Sequence, residues 1–128
     1  MEIFFEEIVY DLERFFKKIG RIGSETKVNI FGLVVNVFPV NTFVRKDKSS
    51  GKVRRVEVGD RTGKVTVVLW NNKVDELAGV ETGKYLEILG AKVRKDINGR
   101  VELHVDGSVD AALLPTLPPD LRNVFLYA

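Results

Sequence analysis

The chain has 128 residues, 45% of them hydrophobic and 30% charged, which reads as one soluble globular domain with a core of its own. No run approaches the ~18 apolar residues that cross a membrane, the lack of cysteine excludes disulfides and thiolate zinc sites, and acids stand at the N-terminus where a signal peptide carries bases, so the chain reads as intracellular. The net charge of +2 is uneven: residues 41–64 hold eight Lys/Arg against three acids and residues 84–100 hold five against two, which suits a polyanion tracking one face as well as it suits a solvated lysine-rich surface.

Residues 1–19 predict an amphipathic helix. Met1, Phe5, Ile8, Leu12, Phe15 and Ile19 recur at alternating four- and three-residue spacing, and Phe4 and Phe16 widen the stripe. Acids early and bases late complement the helix dipole, and Gly20 and Gly23 end the pattern. The stripe needs a cover, either the domain's own core or, given its heptad-like spacing, another subunit. Thr26 to Val40 is dominated by β-branched residues and predicts the first strand. Gly32 inside it marks a bulge or bend, as in small barrels whose first strand pairs with two neighbours. Asn41 to Lys52 reads as a polar, basic loop containing Phe43, Arg45, Lys46 and Lys48. Its phenylalanine is either a tucked anchor or, beside those cations, a ligand contact.

Val53 to Trp70 is the most informative stretch. Two alternating runs flank Gly59-Asp60-Arg61-Thr62-Gly63, a hairpin turn. Val56, Val58, Val65, Val67 and Leu69 supply the core phase; Arg55, Glu57, Lys64, Thr66, Val68 and Trp70 supply the other. A period of two buries one face and leaves the other to solvent or a ligand, so Trp70 is expected on the wetter face among bases. Asn71 or Asn72 can cap a short helix that Gly79 stops, with Val74, Leu77 and Ala78 plugging one end of a barrel. Gly83 to Arg94 predicts a fourth strand, and Asn98-Gly99 a second hairpin turn. Val101, Leu103 and Val105 predict a fifth strand, with Arg100, Glu102 and His104 on its opposite phase. From Ser108 the chain becomes a tail broken by Pro115, Pro118 and Pro119, which either wraps the barrel or begins a contact surface, with one or two helical turns expected over Asp120 to Tyr127. A bare helix at the start and an apolar turn at the end also suit a piece of a longer protein.

These elements predict an all-β fold with flanking helices: a five-stranded OB-fold barrel, a helix between strands 3 and 4, and the N-terminal amphipathic helix. Such barrels bind oligonucleotides over strands two and three. The segments G-L-V-V-N-V, F-V-R-K-D, G-K-V-R-R-V-E-V-G-D-R-T-G-K-V-T-V-V-L-W, G-K-Y-L-E-I-L-G-A-K-V-R and N-G-R-V-E-L-H, together with the I-V-Y-D-L lead-in at residues 8–12, resemble the OB domains of replication protein A and its archaeal single-stranded-DNA-binding relatives. The resemblance covers roughly residues 26–107; with the periodicity and the prolines it divides the chain into residues 1–23, a helix and linker, residues 24–108, the OB nucleic-acid-binding domain, and residues 109–128, a Pro-rich tail.

The resemblance implies sequence-tolerant binding of single-stranded DNA in replication, repair and recombination. Trp70 would be a base-stacking platform, Phe43 would stack or wedge a base, and Arg45, Lys46 and Lys48 would meet phosphates. Arg54 and Arg55 lie in strand two, and one of them must share the face of Trp70; Thr66 shares its phase. Arg94, Lys95 and Arg100 surround the second turn and can close over the strand from the other side. Many family domains carry a second stacking aromatic on or just before strand five. Residues 97–105 hold none, so Val101 or the Arg100 guanidinium is expected to substitute. The zinc module of some relatives is excluded by the missing cysteines.

His104 is the only histidine, and without clustered carboxylates or cysteines it is poor support for a metal or a general base. No phosphate-cradling glycine loop and no nucleophile–base pair is found, so the expectation is no enzyme and no cofactor. Two other readings use the same fold: an RNA- or tRNA-binding module, and an OB module for subunit assembly or protein docking through the 1–19 helix. Partners are therefore single-stranded DNA and, through that helix, other subunits of a replication protein A-like complex or a second copy.

Overall fold

A computed structural model describes residues 15–114. Most of the expected 1–19 helix, and the helical turns expected after residue 119, lie outside the described residues. The described end of that helix departs from the expectation. Lys18 is extended, the Lys17 amide donates to the Asn29 carbonyl at 2.7 Å, and Ile19–Arg21 forms a single 3-10 turn.

Seven strands follow: β1 (Lys27–Val37), β2 (Asn41–Val44), β3 (Ser50–Asp60), β4 (Gly63–Trp70), β5 (Tyr85–Lys95), β6 (Val101–Val105) and β7 (Asp110–Leu114). A short helix, α1 (Asn72–Glu76), separates β4 from β5. β1, β3, β4, β6 and β5 are hydrogen-bonded in that order, and β5 returns to β1, so five strands close the expected barrel. β4 and β6 run parallel; the other pairs are antiparallel.

β1 closes the barrel by changing partner. Lys27 to Leu33 pair with β5 and Leu33 to Val37 with β3, and the register slips on both sides of the change. Gly32 sits at the change. A Cβ there would meet the Val58 side chain at 2.7 Å and the Gly59 carbonyl at 2.8 Å, so the bend needs a residue without one.

One expectation is corrected. Asn41 to Lys52 is not a loop: β2 pairs with the first residues of β3, and only Arg45 to Ser49 turn. Of the two readings of the tail, its first residues follow the wrapping one, because β7 pairs along β5 from Tyr85 to Leu89. Its A-A-L-L sequence carries no alternation, and an edge strand needs none.

The core phase is as the alternation predicts. Ile30, Val34, Val56, Val58, Val67, Leu69, Leu86, Ile88, Leu103 and Val105 are fully buried, and so, against expectation, is Val68 on the opposite phase. Val74, Leu77 and Val80 join that core from α1 and the turn after it, while Ala78 is exposed. Ile19 joins it from the 3-10 turn.

That turn is locked to the β3–β4 hairpin. Asp60 Oδ1 accepts from the amides of Thr62 and Gly63, while Oδ2 accepts from the Ile19 amide at 2.9 Å. The Gly20 amide donates to Thr62 Oγ1 at 2.7 Å, and a Cβ on Gly20 would stand 2.1 Å from the Thr62 carbonyl oxygen. Gly20 is thus a point of backbone contact, not a helix stop. Among the described residues no helix is long and apolar enough to cross a membrane.

Candidate functional site

The outer face of β3, β4 and β6 is a grid set by register. Val53 lies opposite Trp70; Arg55 opposite Val68, which lies beside His104; Glu57 opposite Thr66, which lies beside Glu102. Side chains of paired residues stand on one side of a sheet. Arg55 therefore shares the face of Trp70. Arg54 is on the other phase, and its Nε donates to the Phe38 carbonyl at 2.9 Å.

Trp70 is half-buried between two partners. Its indole N–H donates to His104 Nδ1 at 3.0 Å. An indole N–H only donates, so Nδ1 must be the bare nitrogen and the proton of the neutral ring sits on Nε2. Nε2 in turn faces Glu102 Oε1 at 3.2 Å, and Glu102 Oε2 lies 3.9 Å from Arg55 Nε. A hydrogen bond between two ring nitrogens lies in both ring planes. The indole and imidazole, inclined at 27° with centroids 5.9 Å apart, therefore lie side by side across β4 and β6.

Phe43 stands nearly perpendicular to Trp70, at 82° and 6.1 Å between centroids. Its cross-strand partner on β3 is Gly51, and a Cβ there would lie 2.2 Å from Phe43 Cζ. The ring thus lies against bare backbone. The Arg45 guanidinium sits 5.4 Å from the ring centroid, a cation–π contact. The same guanidinium donates to the Ser50 carbonyl at 2.6 Å and to Asn71 Oδ1 at 3.0 Å. Asn71, at φ 52°, does not cap α1 with its side chain. Its Oδ1 also accepts the Lys52 amide, tying the β2–β3 hairpin to the end of β4.

The remaining cations stand at the two ends of this face. Lys46 and Lys48 are exposed on the β2–β3 turn, where Asp47 accepts from the Ser49 hydroxyl and amide, bonds that lower its pKa. Arg94 is exposed in the row of Glu102, and Lys95 and Arg100 are exposed at the turn between β5 and β6. The middle of the face is acidic. Glu57 accepts from Asn36 Nδ2 at 2.8 Å and lies 3.7 Å from Lys64 Nζ. Thr66 lies between it and Glu102.

The structure therefore brings together Phe43, Trp70 and Arg45, puts Arg55 and Thr66 on the same sheet face, sets Arg94 across from Glu102, places Lys46, Lys48, Lys95 and Arg100 at the ends, and leaves Arg54 off the face. Val101 packs against the barrel core and offers no platform. The flat group on the fifth barrel strand is His104, which sequence reasoning weighed only as a metal ligand or base. Its phase opposite Val101, Leu103 and Val105 was the available signal.

Residues 28–107 match the sequence profile of a family described as OB-fold nucleic acid binding domain. The chain is 31% identical over 122 residues to the replication factor A of Methanothermobacter thermautotrophicus; the match takes in 84% of this chain but 15% of that protein. The solution structure of a replication factor A related protein from Methanobacterium thermoautotrophicum superposes with a TM-score of 0.69 at 22% identity, covering 80% of this chain and 94% of that one. The crystal structure of Schizosaccharomyces pombe Pot1pC bound to ssDNA superposes with a TM-score of 0.67 at 10% identity, covering 85% and 93%. Likeness at these identities is likeness of fold.

Proposed function

Because the chain belongs to the OB-fold nucleic-acid-binding domains, a family of binding modules and not of enzymes, we propose that it binds single-stranded DNA with little regard to sequence, in a replication protein A-like role in replication, repair and recombination. The observation that carries this is the Phe43–Trp70–His104 strip laid across the barrel's outer face. Every base has a flat face, so stacking contributes roughly 1–3 kcal/mol per base whatever the base is. The fold neighbour Pot1pC, which was crystallised with ssDNA, supports the same reading.

Charge sets how a strand would lie. Glu57 and Glu102 occupy the middle of the face and repel phosphate, Arg94 stands across from Glu102, and Lys46, Lys48, Lys95 and Arg100 stand at the ends. Bases are then directed at the sheet and phosphates at the rim. Arg45 acts mainly by holding Phe43, since three of its donor contacts are internal. The chain matches 15% of its curated relative, so companion OB modules or subunits are its proposed partners.

The test uses the single tryptophan. Titration with an unstructured DNA strand should quench Trp70 in a salt-sensitive manner, and a duplex of equal length should not. Trp70→Ala should weaken binding of a labelled strand by roughly 5- to 150-fold, the equivalent of one stacked base. An RNA strand of the same sequence bound more tightly than DNA would shift the reading to an RNA module. No binding of either strand at low salt would end it.

A further inference from the structure

A second aromatic and basic surface lies at the other end of β4, away from Trp70. Phe15, Lys18, Arg21 and Lys27 line a hollow of about 530 Å³ between the lead-in segment and the start of β1. The Phe15 ring is 53% exposed, yet it is held. It stands edge-on to the buried Phe16 ring at 5.0 Å, and its carbonyl accepts from Asn29 Nδ2 at 3.3 Å. Asn29 Oδ1 accepts the Gly90 amide at 2.8 Å, which fixes it to β5. Among the described residues Lys18, Arg21 and Lys27 have no ion-pair partner; the one acid lining the hollow, Glu25, is taken by Lys17 at 3.1 Å.

The 3-10 turn separates the hollow from the sheet face. It is a ridge with Lys18 and Arg21 on the hollow's side. On its other side Ile19 and Ile22 line a groove of about 490 Å³ with Thr66, the cations Lys64 and Arg100 and the acids Glu57, Asp96 and Glu102. The Asp60 and Thr62 bonds hold that ridge to the β3–β4 turn, so the two surfaces keep a fixed relation. From Trp70 along β4 to Lys64 is a run of roughly 20 Å. A strand leaving the aromatic strip in that direction passes Thr66 with its phosphates turned from Glu57 and Glu102 towards Lys64 and Arg100, and crosses the ridge to reach Arg21.

We propose that this hollow is a second contact for the same single strand, with Phe15 stacking a base and Arg21 and Lys27 neutralising phosphates. The proposal rests on the single-strand reading above. An exposed, positioned ring beside unpaired cations is the pairing of features that sequence-tolerant single-strand binding uses.

The test compares two labelled oligothymidylates on the full chain, about 4 and about 14 nucleotides long, near the two ends of the range for one OB fold. Arg21→Gln combined with Lys27→Gln should leave the short strand's affinity and its quenching of Trp70 unchanged. It should weaken the long strand roughly ten-fold at low salt, and lower its salt slope by about 1.4, or ~0.7 for each lost phosphate contact. Phe15→Ala should weaken the long strand about five-fold or more with no change in salt slope. Normal short-strand binding with unaltered long-strand binding in both variants overturns the second contact alone. A short strand that wild-type protein fails to bind overturns the sheet-face reading, and this one with it.

Discussion

Gly51→Ala isolates the placement of Phe43 from every other feature of the site. The added Cβ would lie 2.2 Å from Cζ, 2.4 Å from Cε2 and 2.9 Å from Cε1 of the Phe43 ring. Carbon atoms settle at about 3.5–4.0 Å, so the ring must retreat by more than ~1 Å or swing out to solvent. Either movement breaks its contact with Trp70 and lifts it from under Arg45. The loss of one stacking surface is worth about 1–3 kcal/mol in strand binding, or roughly 5- to 150-fold. Stability should change little, since β2 lies outside the closed barrel and a half-buried ring on that edge can move to relieve the clash. Anisotropy of a labelled oligothymidylate gives the affinity, and urea unfolding gives the stability. A double-mutant cycle with Phe43→Ala decides the cause. If Gly51 matters only through the ring, the double variant binds no worse than Phe43→Ala alone. Wild-type affinity in Gly51→Ala, or additive losses in the double variant, would refute the reasoning.

Three further outcomes are expected. His104→Phe keeps a flat ring beside Trp70 but removes the acceptor of its indole N–H; it should retain most of the affinity, whereas His104→Ala should lose about 1–3 kcal/mol, and equal losses would remove His104 from the platform. Gly20→Ala brings a Cβ to 2.1 Å from the Thr62 carbonyl oxygen, backbone against backbone, and should destabilise the fold by about 1–3 kcal/mol; an unchanged urea midpoint would show that the lock at Asp60 and Thr62 is slack. The Glu25 carboxyl is held from 4.5 down to about 2, chiefly by the Gly23 amide, then by its own amide and Lys17. A carboxylate that takes up protons less readily when folded adds stability that is complete above pH 4.5 and fades as pH falls towards 2. Glu25→Gln should therefore flatten stability against pH across that window, and a parallel curve would refute the linkage.

The barrel was legible because each of its strands carries its own period. Val56, Val58, Val65, Val67 and Leu69 announce a buried face without knowledge of their partners, and all five are buried. Gly32 announced a bend because a strand interior has few other uses for a glycine. What was not legible depends on pairing across the chain. Phe43 looked unpartnered because its cross-strand neighbour is a glycine, which leaves no pattern. His104 joins Trp70 only through the parallel register of β4 and β6, which no local alternation encodes. Asn71 looked like a helix cap because its type and position fit one; its oxygen is instead claimed by Arg45 and the Lys52 amide. Arg54 and Arg55 were separable only by the strand's phase relative to Trp70.

The parallel pairing of β4 with β6 has a consequence during synthesis. Trp70 and His104 lie 34 residues apart in the chain. At a ribosomal pace of ~5–20 residues per second, β4 waits roughly two to seven seconds for the strand that covers its free side. Through that interval the nascent chain carries an open Val-Thr-Val-Val-Leu-Trp edge, and an apolar edge of this kind pairs readily with a copy emerging beside it. Slower decoding of residues 71–100 lengthens the exposure, so the soluble yield of this protein should fall when rare codons are placed there and recover when they are moved upstream of β3.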